Sequence, residues 1–267
     1  MNTDKRNRKI GLALGSGSAR GLAHIGVLEV LDREGIRVDC IAGTSAGALI
    51  GSIYACGLNG RRIREIAADL TLGNMMDIKP PKSGIIAGDK FRQFLAEITG
   101  DIGIEETAIP FACVATDITS GTERVLRKGS LVEAVRASIS IPGLFRAVTW
   151  PDGACLVDGA VLNPLPVKVV QEMGAEVVIA VSVRPSRRHP GNGESPGMFE
   201  ILSTTLEIAS NHMLQHSLEL ADAVIAVDTR GFHQFDFNRL NELADLGAEA
   251  AENALPDIRR AIDGVDL

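Results

Sequence analysis

The stretch Ile41-Ala42-Gly43-Thr44-Ser45-Ala46-Gly47 reads as an apolar strand that turns at a serine between two glycines and enters a helix of small residues. The pattern Gly-x-Ser-x-Gly is that of a nucleophile elbow, in which a tight strand-to-helix turn pushes the serine hydroxyl out of the fold. Gly43 and Gly47 suit it because any side chain there would meet the neighbouring strand and helix. The same five residues also suit a glycine-rich loop that merely lets a strand and a helix approach closely. The surrounding chain has to separate the two readings.

Strands and helices alternate around this turn. Lys9 to Leu14 is a short apolar strand followed by the loop Gly15-Ser16-Gly17-Ser18-Ala19-Arg20-Gly21. A helical pattern then runs to Arg33 on the apolar face Leu22, Ile25, Val27, Leu28 and Leu31, and Glu34-Gly35 closes it. Val38 to Ala42 is the strand before the turn, and Ala46 to Cys56 is the helix after it. Amphipathic helices are expected over Arg61 to Leu70 and Asp89 to Ile98. Between them, Thr71 to Gly88 holds Met75-Met76, Pro80-Pro81 and several glycines, and reads as a mobile surface excursion. Its apolar residues suit a lid over an apolar ligand, a membrane-touching surface or plain packing under a long loop.

Further on, Pro110 to Thr116 and Glu123 to Leu126 are strands, Ser130 to Ser138 is a short helix, and Val177 to Val183 is a buried apolar strand. Met198 to Glu219 is a helix and Ala223 to Val227 a strand. A last helical stretch runs from Asn238 to Ala261, with a break or kink expected near Pro256. Continuous apolar strands suit a sheet covered on both faces by helices. The expected fold is α/β, one domain with a central, mostly parallel sheet flanked by helices. Residues 10–183 form its core, 184–197 a mobile loop, and 198–267 a helix-strand-helix completing the same domain.

Bulk properties narrow the class. A chain of 267 residues, 45% hydrophobic and 23% charged, has ordinary globular composition and length for one large domain. A net charge of −7 argues against a general nucleic-acid binder. Cys40, Cys56, Cys113 and Cys155 lie far apart in apolar segments, so buried free thiols in a reducing compartment are expected. The polar, basic stretch Met1 to Lys9 leads into no signal-peptide core. Cys40 to Gly60 has no formal charge and nearly the length of a membrane span. Its glycines, serines and few large aliphatics fit a strand, a turn and a buried helix better. The expectation is a soluble, cytoplasmic protein, with at most a peripheral, transient contact to a membrane surface.

A serine nucleophile needs a base and donors for the developing oxyanion. The loop Gly15 to Gly21 follows a strand and opens a helix, so its amides suit an anion. It is not a dinucleotide loop, because Arg20 stands where the third glycine of Gly-x-Gly-x-x-Gly belongs. Five histidines are available as a base. His24 lies near the loop in sequence, His189 in the expected mobile loop, His212 and His216 on one helical face, and His233 beside Phe232. None has the setting of a triad histidine, and surface or structural roles suit them better. Among the carboxylates, Asp158 ends the apolar strand Cys155-Leu156-Val157 and is followed by the small residues Gly159-Ala160. Asp152, after Trp150-Pro151 and before Gly153, is a plain turn signal. Asp158 is therefore the candidate functional carboxylate.

These blocks together resemble a patatin-like phospholipase of the compact bacterial kind. The resemblance rests on the loop Gly15 to Gly21, the turn Gly43-Thr44-Ser45-Ala46-Gly47, and Asp158-Gly159-Ala160 with Asn163-Pro164-Leu165-Pro166 behind it. The segment Ala137 to Phe145 is also similar to the family. The likeness implies a Ser45–Asp158 dyad without histidine, acting on lipid acyl esters such as phospholipids or lysophospholipids. It implies an oxyanion hole at Gly17 and Ser18, with Gly15, Arg20 and Gly21 supporting the loop and Gly43 and Gly47 shaping the turn. The family commonly has three consecutive glycines in the loop, and serines replace two of them here, which leaves open which amides of Ser16 to Ala19 donate. Arg20 matches the family's basic position, or else is a solvated arginine at a helix start. No calcium-ligand cluster stands out, so metal-independent chemistry without a cofactor is expected. A histidine-dependent α/β-hydrolase esterase and a non-catalytic protein on the same fold are the other readings.

Overall fold

A computed structural model describes residues 8–69, 84–183 and 197–264. Strand β1 (Ile10–Leu14) leads through a single 3-10 turn (Ser18–Leu22) into α1 (Ala23–Arg33). Strand β2 (Cys40–Thr44) leads into α2 (Ala46–Ala55), which is followed by α3 (Gly60–Ala68). The short strand β3 (Gly84–Ile86), α4 (Asp89–Thr99), β4 (Phe111–Asp117), β5 (Thr122–Leu126) and α5 (Leu131–Ser138) come next. Then follow β6 (Gly143–Phe145), β7 (Val148–Thr149), β8 (Cys155–Asp158), α6 (Val167–Glu172) and β9 (Val177–Ser182). The chain closes with α7 (Met198–Glu219), β10 (Ala223–Ala226) and α8 (Leu240–Asp263).

One sheet runs in the order β10-β9-β1-β2-β4-β8-β7, with β5 also on β4. Strands β10, β9, β1, β2 and β4 are parallel, and β5, β8 and β7 pair antiparallel. Strands β1, β2, β4 and β9 are buried from end to end, as continuous apolar runs require, while β10 at the sheet edge is only partly so. Alternate residues feed two cores. Leu12, Leu14, Ile41, Cys113, Ile179 and Val181 pack under α1, α2, α5 and α8. Ala13, Cys40, Ala42, Val114, Val178 and Ala180 pack under α6 and Leu214 of α7. The α/β architecture with a mostly parallel, helix-flanked sheet agrees with the sequence reading.

The register around β4 positions the site. Strand β5 covers one edge of β4 from Cys113 to Asp117, so β2 and β8 must share the other edge. There β2 rises parallel to β4 as far as Thr44 opposite Val114, and β8 comes down antiparallel to end with Asp158 opposite Ala115. The two strands meet head to head on consecutive residues of β4, which brings Ser45 beside Asp158.

Three expectations need correction. The excursion drawn over 71–88 ends earlier: Gly84–Ile86 pairs in parallel with Gly143–Phe145, and Ile86 and Ala87 are buried. The Arg136 guanidinium, itself buried, fastens this corner by donating to the carbonyls of Ala87 and Arg146. Residues 70–83, and 184–196 of the expected loop, lie outside the described residues. Pro256 does not break α8, which is continuous across it. It lies on the exposed side, where water can satisfy the carbonyl that loses its helical partner. Cys56 and Cys155 are only half-buried, though all four thiols are free. Burial holds Cys40 near a pKa of about 11 and pushes Cys113 up as well, which keeps both thiols protonated and unreactive.

Candidate active site

Ser45 ends β2 with φ 56° and ψ −119°, a backbone conformation that L-residues with side chains avoid. The packing around it leaves no alternative. A Cβ on Gly43 would press into the backbone of Ala48, and one on Gly47 would strike the Leu14 carbonyl. The Ser45 amide donates to Ser138 Oγ at 2.9 Å, and that hydroxyl donates to the Val114 carbonyl at 2.6 Å. Thr44 Oγ1 donates to the Asn163 carbonyl at 2.9 Å, tying the turn to the segment behind Asp158.

The Ser45 hydroxyl donates to Asp158 Oδ2 at 2.6 Å. Both residues are buried, each 4% exposed. Asp158 is held in turn by two backbone bonds. Its Oδ1 accepts from the Ala160 amide at 2.8 Å, and its own amide donates to the Ser140 carbonyl at 2.9 Å. Small residues at 159 and 160 make this local turn possible, since a Cβ at Gly159 would strike the Val114 carbonyl. Asp152, by contrast, sits exposed in the β7–β8 turn and pairs with Arg124, which together with the Ala154 amide lowers its pKa.

The loop from Gly15 to Gly21 lies against this pair. The Gly15 amide donates to Val181 O, Ser16 to Pro164 O, Ala19 to Gln234 O and Arg20 to Gly17 O. The amides of Gly17 and Ser18 have no acceptor among the described residues, and both residues border the cavity over Ser45. Ser18 itself has a positive φ of 51°. Arg20 is not a solvated helix-start arginine. It is buried, and its Nη2 pairs with Glu207 Oε1 of α7 at 2.6 Å while Nε reaches the Gly17 carbonyl. Gly21 packs against Ala46, bringing the loop onto the first turn of α2. The α2 N-terminus adds positive dipole at the same place.

Two cavities meet at Ser45 and Ser18. One, about 60 Å³, is the more polar of the two, bordered by Ser16, Ser203, Ser210, Gln234 and the Arg20–Glu207 pair besides Leu206 and Val161. The other, about 440 Å³, is almost wholly apolar. Five of the chain's eight phenylalanines line it: Phe91, Phe94, Phe145, Phe235 and Phe237. Isoleucines of α2 and α3, including Ile53 and Ile63, complete its walls.

None of the described histidines borders either cavity. His24 is fully buried, and its Nε2 lies 2.7 Å from the Gly15 carbonyl. Burial lowers its pKa from the ordinary 6.5 to about 4, the bond to Gly15 opposing the fall, so it is a neutral donor that braces the loop. His212, His216 and His233 are exposed, and His189 lies outside the described residues. No group of three or more His, Cys, Asp or Glu side chains among the described residues is placed to hold a metal ion. Sequence reasoning missed Ser138 and Glu207. Ser138 stood within the Ala137 to Phe145 stretch, but Glu207 reaches Arg20 across 187 residues and left no local signal.

A fold of this kind with a serine–aspartate pair at a strand end defines a class, and the chain belongs to it: its residues 12–170 match the model of the patatin-like phospholipase family. An NTE family protein of Mycobacterium tuberculosis is 37% identical over 196 residues, 71% of this chain and 53% of that protein. Patatin-like phospholipase domain-containing protein 6 of Homo sapiens is 39% identical over 181 residues, 65% of this chain and 13% of that protein. The chain thus spans about half the length of the mycobacterial relative and a small part of the human one. The crystal structure of VipD from Legionella pneumophila superposes with a TM-score of 0.64 over 94% of this chain and 67% of that one. At 13% identity that is a likeness of fold.

Proposed function

We propose that the protein is a serine acyl hydrolase that cleaves lipid acyl esters through a Ser45–Asp158 dyad. The observation that carries this reading is the 2.6 Å hydrogen bond from Ser45 Oγ to Asp158 Oδ2 at the junction of a polar and a large apolar cavity. Asp158 takes the hydroxyl proton as Ser45 Oγ attacks the ester carbonyl carbon. The Gly17 and Ser18 amides, which have no other described acceptor, hold the resulting oxyanion. Collapse of the tetrahedral intermediate breaks the ester C–O bond. The alkoxide leaves with the proton from Asp158 through the polar cavity, and the acyl group stays on Ser45 with its chain in the apolar cavity. Water then gives its proton to Asp158 and attacks the acyl-serine, and Ser45 recovers that proton as the fatty acid departs.

An aspartate in bulk water is a weak base for this step. Burial at 4% exposure strips hydrating water from the carboxylate, and the short hydrogen bond couples proton transfer to attack. The lipid class fits the wall chemistry, since a cavity lined by phenylalanine and isoleucine matches an acyl chain.

Ser45→Ala and Asp158→Asn should each lower kcat for a long-chain p-nitrophenyl ester by roughly 10³-fold or more with the fold retained. A fluorophosphonate probe should label Ser45 in the parent protein. Full activity in folded Asp158→Asn protein would sink the dyad, and absence of labelling at Ser45 would point to a non-catalytic protein.

A further inference from the structure

Helix α7 shows two unlike faces. Its inner face places Ser203, Leu206, Glu207 and Ser210 along the polar cavity beside Ser45. Its outer face leaves Met198, Ile201, Leu202 and Ile208 in solvent, Met198 at 87% exposure. These four, with exposed Thr205 and Ala209 between them, fall on one arc of the helix at 3.6 residues per turn. Of the five large apolar residues that stand exposed among the described residues, four are here, and the fifth is Ile118. Single apolar residues on a surface are ordinary, whereas a contiguous stripe marks an interaction site.

Chemistry and position select the occupant. Leu202 and Leu206 are one turn apart, so the apolar surface runs from the stripe into the wall of the cavity that holds Ser45. A surface seated on the stripe therefore lies next to the wall of the small cavity over Ser45. The helix itself has three glutamates and no lysine or arginine, and the chain as a whole is at −7, so its own charge offers an anionic surface no attraction. No helix among the described residues is long and apolar enough to cross a membrane, so α7 would lie in an interface and not span one.

We propose that the outer face of α7 docks on a zwitterionic lipid surface and sets the wall of the small cavity over Ser45 beside it. The choice of a lipid as occupant rests on the acyl-hydrolase reading. Docking supplies substrate from the layer itself, with the inner face of the same helix forming the cavity wall.

Flotation tests this with the Ser45→Ala protein, whose vesicles stay unhydrolysed. It should co-float with phosphatidylcholine vesicles, and adding phosphatidylglycerol should not strengthen binding. Ile201→Gln with Ile208→Gln should lower the partition coefficient more than tenfold at an unchanged unfolding midpoint, whereas Ile118→Gln should leave it unchanged. No flotation of the parent, equal flotation of the double variant, or binding only to anionic vesicles would overturn the proposal. So would a parent that sediments as a dimer and a double variant that sediments as a monomer, since the stripe would then seat a second copy. Failure of the acyl-hydrolase reading is seen separately, as a protein with intact Ser45 that floats through α7 yet hydrolyses no ester.

Discussion

Ser45 at φ 56° stores backbone strain on the order of 1–3 kcal/mol, and it persists because its surroundings over-determine it. Ser138 holds its amide, Asp158 holds its hydroxyl, and Gly43 and Gly47 let β1, β2 and α2 close around it. His24 does the same for the facing loop through the Gly15 carbonyl. Because it is buried neutral with a pKa of about 4, the unfolded chain takes up a proton on it between pH 6.5 and 4 that the folded chain does not. The stability it allows is therefore complete above about pH 6.5 and falls as pH drops through that window. Between pH 7 and pH 5 the loss from this residue should be on the order of 2 kcal/mol. Denaturant unfolding of the parent and of His24→Gln at both pH values should show that difference disappearing in the variant. An unchanged pH dependence would mean that His24 is not buried in the neutral form.

At the scale of elements, α1 and α8 cross at very close range because glycine stands at the contact on both helices. A Cβ at Gly26 would strike the Ala244 carbonyl, and one at Gly247 would strike the Ala23 carbonyl. On an exposed helix, glycine to alanine stabilises by about 1 kcal/mol. Here Gly247→Ala should instead destabilise by about 1–3 kcal/mol, because backbone has to move to admit the methyl group. Urea unfolding measures it, and a stabilised variant would mean that the crossing is looser than the geometry indicates. Helix α7 is held differently, by the Arg20–Glu207 pair, the bond from Gln234 to Ser203 and the packing of Leu214. The ends of most elements were legible in the sequence, α7 from Met198 to Glu219 among them. Strands β3 and β6 were not, because three residues are too few to display alternation and each exists only by pairing with the other.

The whole molecule adds a chain-length rule to the proposed activity. The 440 Å³ cavity is walled by segments from α2, α3, α4, the β6 region and the loop before α8, which no single element could form. Each methylene buried there should contribute about 0.8 kcal/mol, roughly fourfold in kcat/KM, until the cavity is full. Ile53→Trp should fill part of it, removing the gain for dodecanoyl esters while butyryl esters are still cleaved. A series of p-nitrophenyl esters checks both, and a flat profile for the parent would remove the cavity from acyl binding. What the sequence determined by itself is local: the strand–serine–helix turn, the loop Gly15 to Gly21, and the strand ending at Asp158. Each is dictated by steric demands on adjacent residues, so it is written in adjacent letters. Tertiary structure alone decided that β2 and β8 end on neighbouring residues of β4, that Arg20 meets Glu207, and that α7 walls the site with one face and leaves the other in solvent. Those contacts join segments about a hundred or more residues apart, and only the packing of the complete chain selects among the partners open to each.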